Sequence, residues 1–353
     1  MRLVAPSESS SNYEYVTARV RSRRAQLFGS EDYSKLVRMG TGEIARYMED
    51  GAYEAEMNAL GARYDGVDLI EYALNQDLAE QFDDLLGWAE GQLRAYLVRY
   101  LRKFDAWNLK TVIRGLYAET PATEVEDDLI RAGEFSAERL DGLLEAASIQ
   151  EAVEQAAGTI FGAAVTAAYD EYESTGSLVP LENAIDRCYY ERLLESVPRE
   201  ADGPTGLYVE FLRAEIDFSN LRSVLRVARS GAELDPEAYF IEGGRLFGAA
   251  DLRAMGGSIE EIVARLRESP YGAELGESLE RLETAESLIG FEYALDAALV
   301  AYSDRLSNRF PLSVCPVLAY ILAKEREVDN VRAVARGREA GLDEETIRTE
   351  LVL

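Results

Sequence analysis

The stretch that decides the fold runs from Pro311 to Gly337, PLSVCPVLAYILAKEREVDNVRAVARG. Inside it lies Glu327-x-x-Asn330-Val331-Arg332-x-Val334-Ala335-Arg336, an acid, an Asn three residues on, an apolar residue, a base, and a closing Arg. The same order stands at Asp105-x-x-Asn108-Leu109-Lys110-x-Val112-Ile113-Arg114 and at Asp217-x-x-Asn220-Leu221-Arg222-x-Val224-Leu225-Arg226. Asn220 follows Asn108 by 112 residues and precedes Asn330 by 110. Three copies at a near-constant interval describe one unit of about 110 residues used three times.

A second anchor has the same period. Glu71-Tyr72-Ala73-Leu74, Glu182-Asn183-Ala184-Ile185 and Glu292-Tyr293-Ala294-Leu295 share Glu-x-Ala-apolar, each 37 or 38 residues before its own Asn. Weaker echoes stand earlier, at Gly42-Glu43-Ile44, Gln150-Glu151-Ala152 and Glu260-Glu261-Ile262. The expected domains are residues 1–120, 121–232 and 233–353.

Around these anchors most of the chain has helical spacing. Residues 68–118 repeat apolar side chains at three and four, through Leu74, Leu78, Leu85, Leu93, Leu97 and Leu101. Val16, Val20 and Leu27 predict an amphipathic helix over Tyr13–Phe28, with residues 1–12 as a frayed tail. Pro and an acidic run make 119–128 a linker; Gly203-Pro204-Thr205-Gly206 precedes the second signature helix. Ser230–Glu237 closes the second unit, Pro236 suggests a helix start, and Gly256-Gly257-Ser258 and Ser269-Pro270 punctuate the third. Strand-like alternation is scarce, so the expected class is all-α, three similar helical bundles.

On a helix the motif puts Asp105, Asn108, Leu109, Val112 and Leu116 on one face, and Lys110 and Arg114 on another. Arg222 with Arg226 and Arg332 with Arg336 repeat that pair of like charges, which repel mildly at i, i+4. An outside acid is expected to meet them, and Glu71, Glu182 and Glu292 supply one per unit. The expectation is an ion pair inside each unit, between its Glu and a base of its own motif. That structural reading of Glu71, Asp105, Asn108, Arg114, Glu182, Asp217, Asn220, Arg226, Glu292, Glu327, Asn330 and Arg336 is preferred to a catalytic one.

Composition narrows function further. Against 37 basic residues stand 65 acidic ones, a formal charge of −28, which repels a phosphate backbone and argues against nucleic acid. The basic helix carrying Arg19, Arg21, Arg23 and Arg24 is the exception, either paired with acidic neighbours or a contact patch for an acidic partner or lipid headgroups. Hydrophobic residues make up 47%, enough for a packed core. Absence of His removes the usual general base and commonest metal ligand. Cys188 and Cys315 sit in apolar contexts and are read as buried free thiols in a reducing compartment. No phosphate loop, dinucleotide fingerprint or Gly-x-Ser-x-Gly occurs. Asp83-Asp84 and Asp127-Asp128 have Gly87 and Arg131 where a magnesium motif wants further acid. No catalytic residue, no cofactor and no metal are expected. No run of 18 apolar residues and no apolar leader core are present, so a cytoplasmic protein is expected.

Beyond its internal repetition, the chain resembles the C subunit of archaeal A-type and bacterial V-type ATPases, the counterpart of the eukaryotic d subunit. The likeness is carried by Tyr13-x-Tyr15-x-x-Ala18-Arg19-Val20-Arg21 with Leu27, Tyr33 and Leu36. It continues in Pro311-Leu312-x-x-x-Pro316-Val317-Leu318-Ala319-Tyr320, Lys324-Glu325-x-Glu327-Val328-x-Asn330-Val331-Arg332 and Arg336-Gly337-x-x-x-Gly341-Leu342-x-x-Glu345. Val328 and Val331 stand where larger aliphatics are common. The resemblance implies three helical domains about a pseudo-threefold axis, forming a funnel. It also implies a non-catalytic rotor part, one copy per complex. Its partners would be the proteolipid ring of the membrane sector and the central-stalk subunits, at the cytoplasmic face of the membrane. An all-α repeat scaffold outside any ATPase is the rival reading, although a 110-residue period is long for a solenoid.

The acid excess has its own consequence. Only Lys35, Lys103, Lys110 and Lys324 are lysines, and an acidic, lysine-poor surface points to a salt-rich cytoplasm where counter-ions screen self-repulsion. The thermal midpoint should therefore rise from dilute buffer to molar KCl. A scan at stepped salt that finds the same midpoint throughout would refute a halophilic origin.

Overall fold

The computed structural model describes residues 11–195, 197–198, 202–230, 239–248, 250–251, 259–272, 276, 279–280 and 288–352, the side chains of 224–230, 259 and 288–291 excepted. Every regular element among them is helical. In chain order these are α1 (Tyr13–Arg24), α2 (Ser30–Leu36), α3 (Thr41–Glu49), α4 (Glu54–Leu60), α5 (Gly66–Trp88), α6 (Gly91–Leu101), α7 (Lys103–Tyr117), α8 (Ala122–Asp127) and α9 (Ala137–Leu144). Then follow α10 (Ile149–Gln155), α11 (Gly162–Thr175), α12 (Val179–Glu195), α13 (Gly203–Ser230), α14 (Ile259–Glu268), α15 (Leu288–Arg309), α16 (Cys315–Glu339) and α17 (Glu344–Thr349). The segments expected to close the second unit (231–237) and to punctuate the third (256–258) lie outside the described residues.

Among the described residues the signature helices α7, α13 and α16 are largely enclosed. In α16 Val317, Leu318, Ile321, Val331 and Val334 are fully buried, since α16 packs on α15, α5 and α1 together. α13 lies on α15, and α7 on α12, α10 and α9. Such all-round burial explains why α16 has no single apolar stripe in sequence.

Three local expectations need correction. The first helix ends at Arg24, short of Phe28, because Gln26 and Leu27 turn back onto the carbonyls of Arg23 and Arg24. Ser11 and Asn12 are not frayed: Asn12 Nδ2 donates to the Trp88 carbonyl at 2.8 Å, its Oδ1 accepts from Glu90 N at 3.0 Å, and Ser11 Oγ accepts from Leu93 N. The linker at 119–128 contains α8, which buries Val125 against α7. Glu124 and Glu126 are exposed along a short helix that propensity alone would not hold. α17 is its counterpart, beginning 14 residues after Asn330 as α8 does after Asn108. Between each pair the signature helix ends alike, Thr120 N bonding Gly115 O and Leu342 N bonding Gly337 O, both at 2.9 Å. The left-handed residue these caps require is Gly341 in one and Glu119, at φ 56°, in the other.

What the motif Asn does is the same in all three copies. Asn108 Nδ2 donates to Ile130 O at 2.8 Å and Oδ1 accepts from Ile130 N at 2.9 Å. Asn220 holds Ile241 at the same two distances, and Asn330 holds Val352 at 2.9 and 3.0 Å. A primary amide is the side chain that offers donor and acceptor side by side, matching the N–H and C=O of one residue. The motif acid catches the chain a few residues further on. Asp105 accepts from Glu134 N and Phe135 N at 2.9 Å each, and Asp217 from Arg245 N and Leu246 N at 2.9 and 3.0 Å. Gly133 and Gly244 let the backbone approach that closely, as a Cβ there would stand 2.0 and 2.1 Å from the carboxylate.

Asn108→Ala would strand the buried N–H of Ile130, while its carbonyl keeps the bond from Ala132 N at 2.9 Å. One unmade bond costs about 1–3 kcal/mol, and a loss of that size in urea unfolding is expected. A loss below about 0.5 kcal/mol, the level of an ordinary surface change, would show that water replaces the amide.

Candidate functional site

The surfaces on which the three motif helices meet their neighbours carry the charged residues of both anchors. Glu71 accepts from Arg336, with Nη2 2.7 Å from Oε2 and Nε bonded to Oε1. Glu182 accepts from Arg114 Nε at 2.6 Å. Neither Glu meets its own motif. Each meets the motif of the preceding copy, the first copy taking its base from the third. In the first two units the expected internal ion pair is thus replaced by one between units. The reason is that α7 also lies on α12 of the second unit, and α16, while packed on α15, also lies on α5 of the first.

The neighbouring base follows the same rule. Lys110 pairs with Asp186 at 2.5 Å, Arg222 with Asp296 at 2.8 Å, and Arg332 Nη2 donates to Asn75 Oδ1 at 2.8 Å. Asp186, Asp296 and Asn75 each stand four residues after the anchor Glu. The order is first motif to second anchor, second to third, third to first. It closes on itself. Glu292 lies close enough to Arg222 to favour its charge, while the side chain of Arg226 is outside the described residues.

A residue set that sequence reading missed lies where the signature helices converge. Lys103, Glu215 and Glu325 each stand five residues before their Asn. Lys103 Nζ is 2.7 and 2.8 Å from the two Glu325 oxygens and 3.9 Å from Glu215 Oε1. Tyr100 hydroxyl donates to the same Glu215 oxygen at 3.0 Å. Burial works against the ammonium, but Glu325 and Glu215 outweigh it and hold the Lys103 pKa above the usual lysine value. Burial likewise pushes both carboxyls up, with Lys103 pulling them back. Twelve residues before their Asn, Tyr96 and Tyr208 stack with centroids 4.3 Å apart. The signal available in the sequence was equal offset, since a Lys in the first copy stands against a Glu in the other two.

The third motif acid is the most elaborated. Glu327 accepts from Phe28 N at 2.5 Å and Tyr53 hydroxyl at 2.6 Å, and Lys324 Nζ lies 2.7 Å from it. Lys324 also donates to Tyr53 at 2.8 Å and sits 2.6 Å from Asp77 Oδ2, as an ion pair without hydrogen-bond alignment. Tyr53, Asp77, Lys324 and Glu327 are each at most 3% exposed. Elsewhere burial drives Asp105 up to about 6 against the pull of its two N–H donors, and raises Asp217 in the same way.

The basic helix divides. Arg23 pairs with Asp84, and Arg24 with Asp304 at 2.5 Å. Arg19 and Arg23 both lie over the Trp88 ring, at 4.9 and 4.3 Å. Arg19 and Arg21 are exposed. Cys188 and Cys315 are free and buried, and burial raises both thiols. Among the described residues no group of three or more His, Cys, Asp and Glu is placed to hold a metal, and no helix is long and apolar enough to cross a membrane.

The model of the ATP synthase (C/AC39) subunit family matches residues 16–350. The chain belongs to that family. It is 61% identical to the C subunit of the A-type ATP synthase of Haloferax volcanii, over 97% of this chain and 98% of that one. It is 59% identical to the Haloquadratum walsbyi protein of the same name, over 98% and 100%, and 32% identical to that of Methanosarcina mazei, over 98% and 94%. Membership in the C/AC39 family makes the chain part of an ATP synthase. The inter-repeat contacts are then the internal joints of one of its subunits.

These joints differ in cost. Lys324→Met leaves Asp77 and Glu327 buried without their cation and should destabilise by about 3–5 kcal/mol. Arg114→Met removes a half-exposed partner and should cost less than about 1 kcal/mol. Denaturant titrations of the two variants in one salt check the ranking, and equal losses would contradict it.

Proposed function

We propose that this chain is a non-catalytic coupling part of an A-type rotary ATP synthase, carrying torque between the central stalk and the membrane proteolipid ring during ion-gradient-driven synthesis. Its repeats, residues 1–120, 121–232 and 233–353, form three helical bundles about a pseudo-threefold axis with a funnel shape. One copy serves each complex, at the cytoplasmic face of the membrane, held there by protein partners.

The observation that carries this reading is the closed order of pairing, in which each motif helix grips the next unit and the third grips the first. A body that passes torque has to resist shear between its parts. Contacts exchanged around a cycle let no unit turn without straining two joints. The meeting of Lys103, Glu215 and Glu325 supports an axis running between the three signature helices. The names of the relatives, all proteins of A-type ATP synthases, support the assembly.

Arg19 and Arg21, exposed on α1 in a chain with formal charge −28, are proposed to meet an acidic partner surface. The test is affinity purification of the tagged chain from its native membranes in molar salt. Recovery with the proteolipid and stalk proteins at one copy per complex is expected. Recovery with neither would end the reading. Arg19→Glu with Arg21→Glu should weaken recovery without changing the thermal midpoint.

A further inference from the structure

The three joints are matched in their contacts and unmatched in their connectivity. From α7 the chain runs on through α8 and the Asn108-bound residue into the second bundle, so the first joint is bridged by backbone. From α13 it runs on through Ile241 into the third. From α16 it reaches Val352 on Asn330, and there the pattern changes. The N–H that the motif acid catches comes from Phe28, at the other end of the chain. A linear chain cannot also join 352 to 28, so the third joint is held by side chains and packing alone.

Its clasps are numerous. Arg336 holds Glu71, Arg332 holds Asn75, Arg338 Nε donates to the Met39 carbonyl at 3.0 Å, Arg38 pairs with Glu344 at 3.2 Å, and Arg24 with Asp304. The residue choice at the centre of this joint differs from that of the other two. Six residues before the motif Asn stand Arg102, Ala214 and Lys324; six after the anchor Glu stand Cys188, Ala298 and Asp77. At the second joint both positions are buried alanines. At the first, Arg102 turns out to Glu134 and Cys188 donates to Ile160 O. At the third alone, the two positions face each other as a buried ion pair.

That difference bears on opening. Separating two alanines exposes apolar surface and returns nothing. Separating Lys324 from Asp77 returns two ions to water, and hydration offsets much of what the pair loses. We infer that the contact of α16 and α17 with α1, α3 and α5 is a seam that opens as a unit while the other two joints stay shut. Lys324 is its latch. Opening parts α16 and α17 from α1, α3 and α5, with α1 still held to α5 by Asn12 and Arg23, and turns the closed cycle into a chain of three bundles hinged at two backbone bridges. The seam is a property of the folded chain and stands whether or not the chain couples a stalk to a ring.

Spin labels at matched exposed positions test it in the full chain. Glu49→Cys with Glu345→Cys spans the seam, and Ala157→Cys with Thr123→Cys occupies the equivalent positions at the first joint. Both native cysteines are buried, which favours labelling at the introduced ones. Pulsed dipolar spectroscopy should give the seam pair a second, longer distance whose share grows several-fold in Lys324→Met. That share should fall below its original value when Asp77→Leu is added, since an apolar pair replaces the stranded acid. The pair at the first joint should keep one distance throughout. Should Lys324→Met fail to fold, Arg338→Gln, which removes a partly exposed clasp, is read in the same way. A seam pair that keeps one distance until the whole chain unfolds overturns the inference. So does simultaneous broadening of both pairs.

Discussion

The structure depends on a side-chain amide holding a passing strand of backbone. Each signature Asn offers one donor and one acceptor to the N–H and C=O of a single residue, buried from solvent. A buried peptide left unmatched would cost about as much as a core substitution. The amide therefore fixes where the chain passes as it leaves one bundle for the next. The motif acid, three residues earlier, fixes its direction by taking N–H groups a few residues further on. With both in place the departing segment has one route, and the bundle that follows starts at a set position against the signature helix.

From that constraint the exchange between units follows. A signature helix whose C-terminal extension is tied to its own side must present its remaining faces to the next bundle. Its two bases, at two and six residues after the Asn, fall on those faces. Acids four residues apart on the next anchor helix meet both bases of the first motif, Asp296 meets Arg222 of the second, and Asn75 takes the acid's place against Arg332 of the third. The arginine in this contact is well chosen. Its planar fork spans both oxygens of Glu71, a geometry lysine cannot give. Most of these pairs are partly exposed and contribute little to stability, so their value is in setting the register between bundles.

The helical class, the threefold repetition of the motif and the buried faces of the signature were legible because periodicity and spacing encode them directly. Asp105, Asn108, Asp217, Asn220, Glu327 and Asn330 are all buried as the helical reading requires. Which copy each anchor meets was not legible. Equal spacing identifies equivalent residues, but an acid that pairs within its unit and one that pairs with the next leave the same imprint. Lys103, Glu215 and Glu325 were hidden for another reason. Residues that converge from three helices must complement one another, so a mixed-charge cluster looks like no repeat at all. Gly133 and Gly244 left a trace only in their similar distance after the motif acid, which has meaning once the backbone is known to close there.

The third copy shows what a repeat costs when it has to close. In the first two, one aspartate captures successive N–H groups of its own following segment. In the third, a glutamate, one methylene longer, reaches Phe28 from the far end of the chain and gains only one N–H. The acceptor capacity left over has to be met, and Tyr53 and Lys324 meet it. Lys324 then brings Asp77 into the core as its second counter-ion. The buried ionic cluster thus stands where the motif acid has one backbone donor in place of two. A linear chain whose three motif copies pair in a cycle leaves one joint without a covalent bridge, and there a buried ion pair adds to what packing supplies.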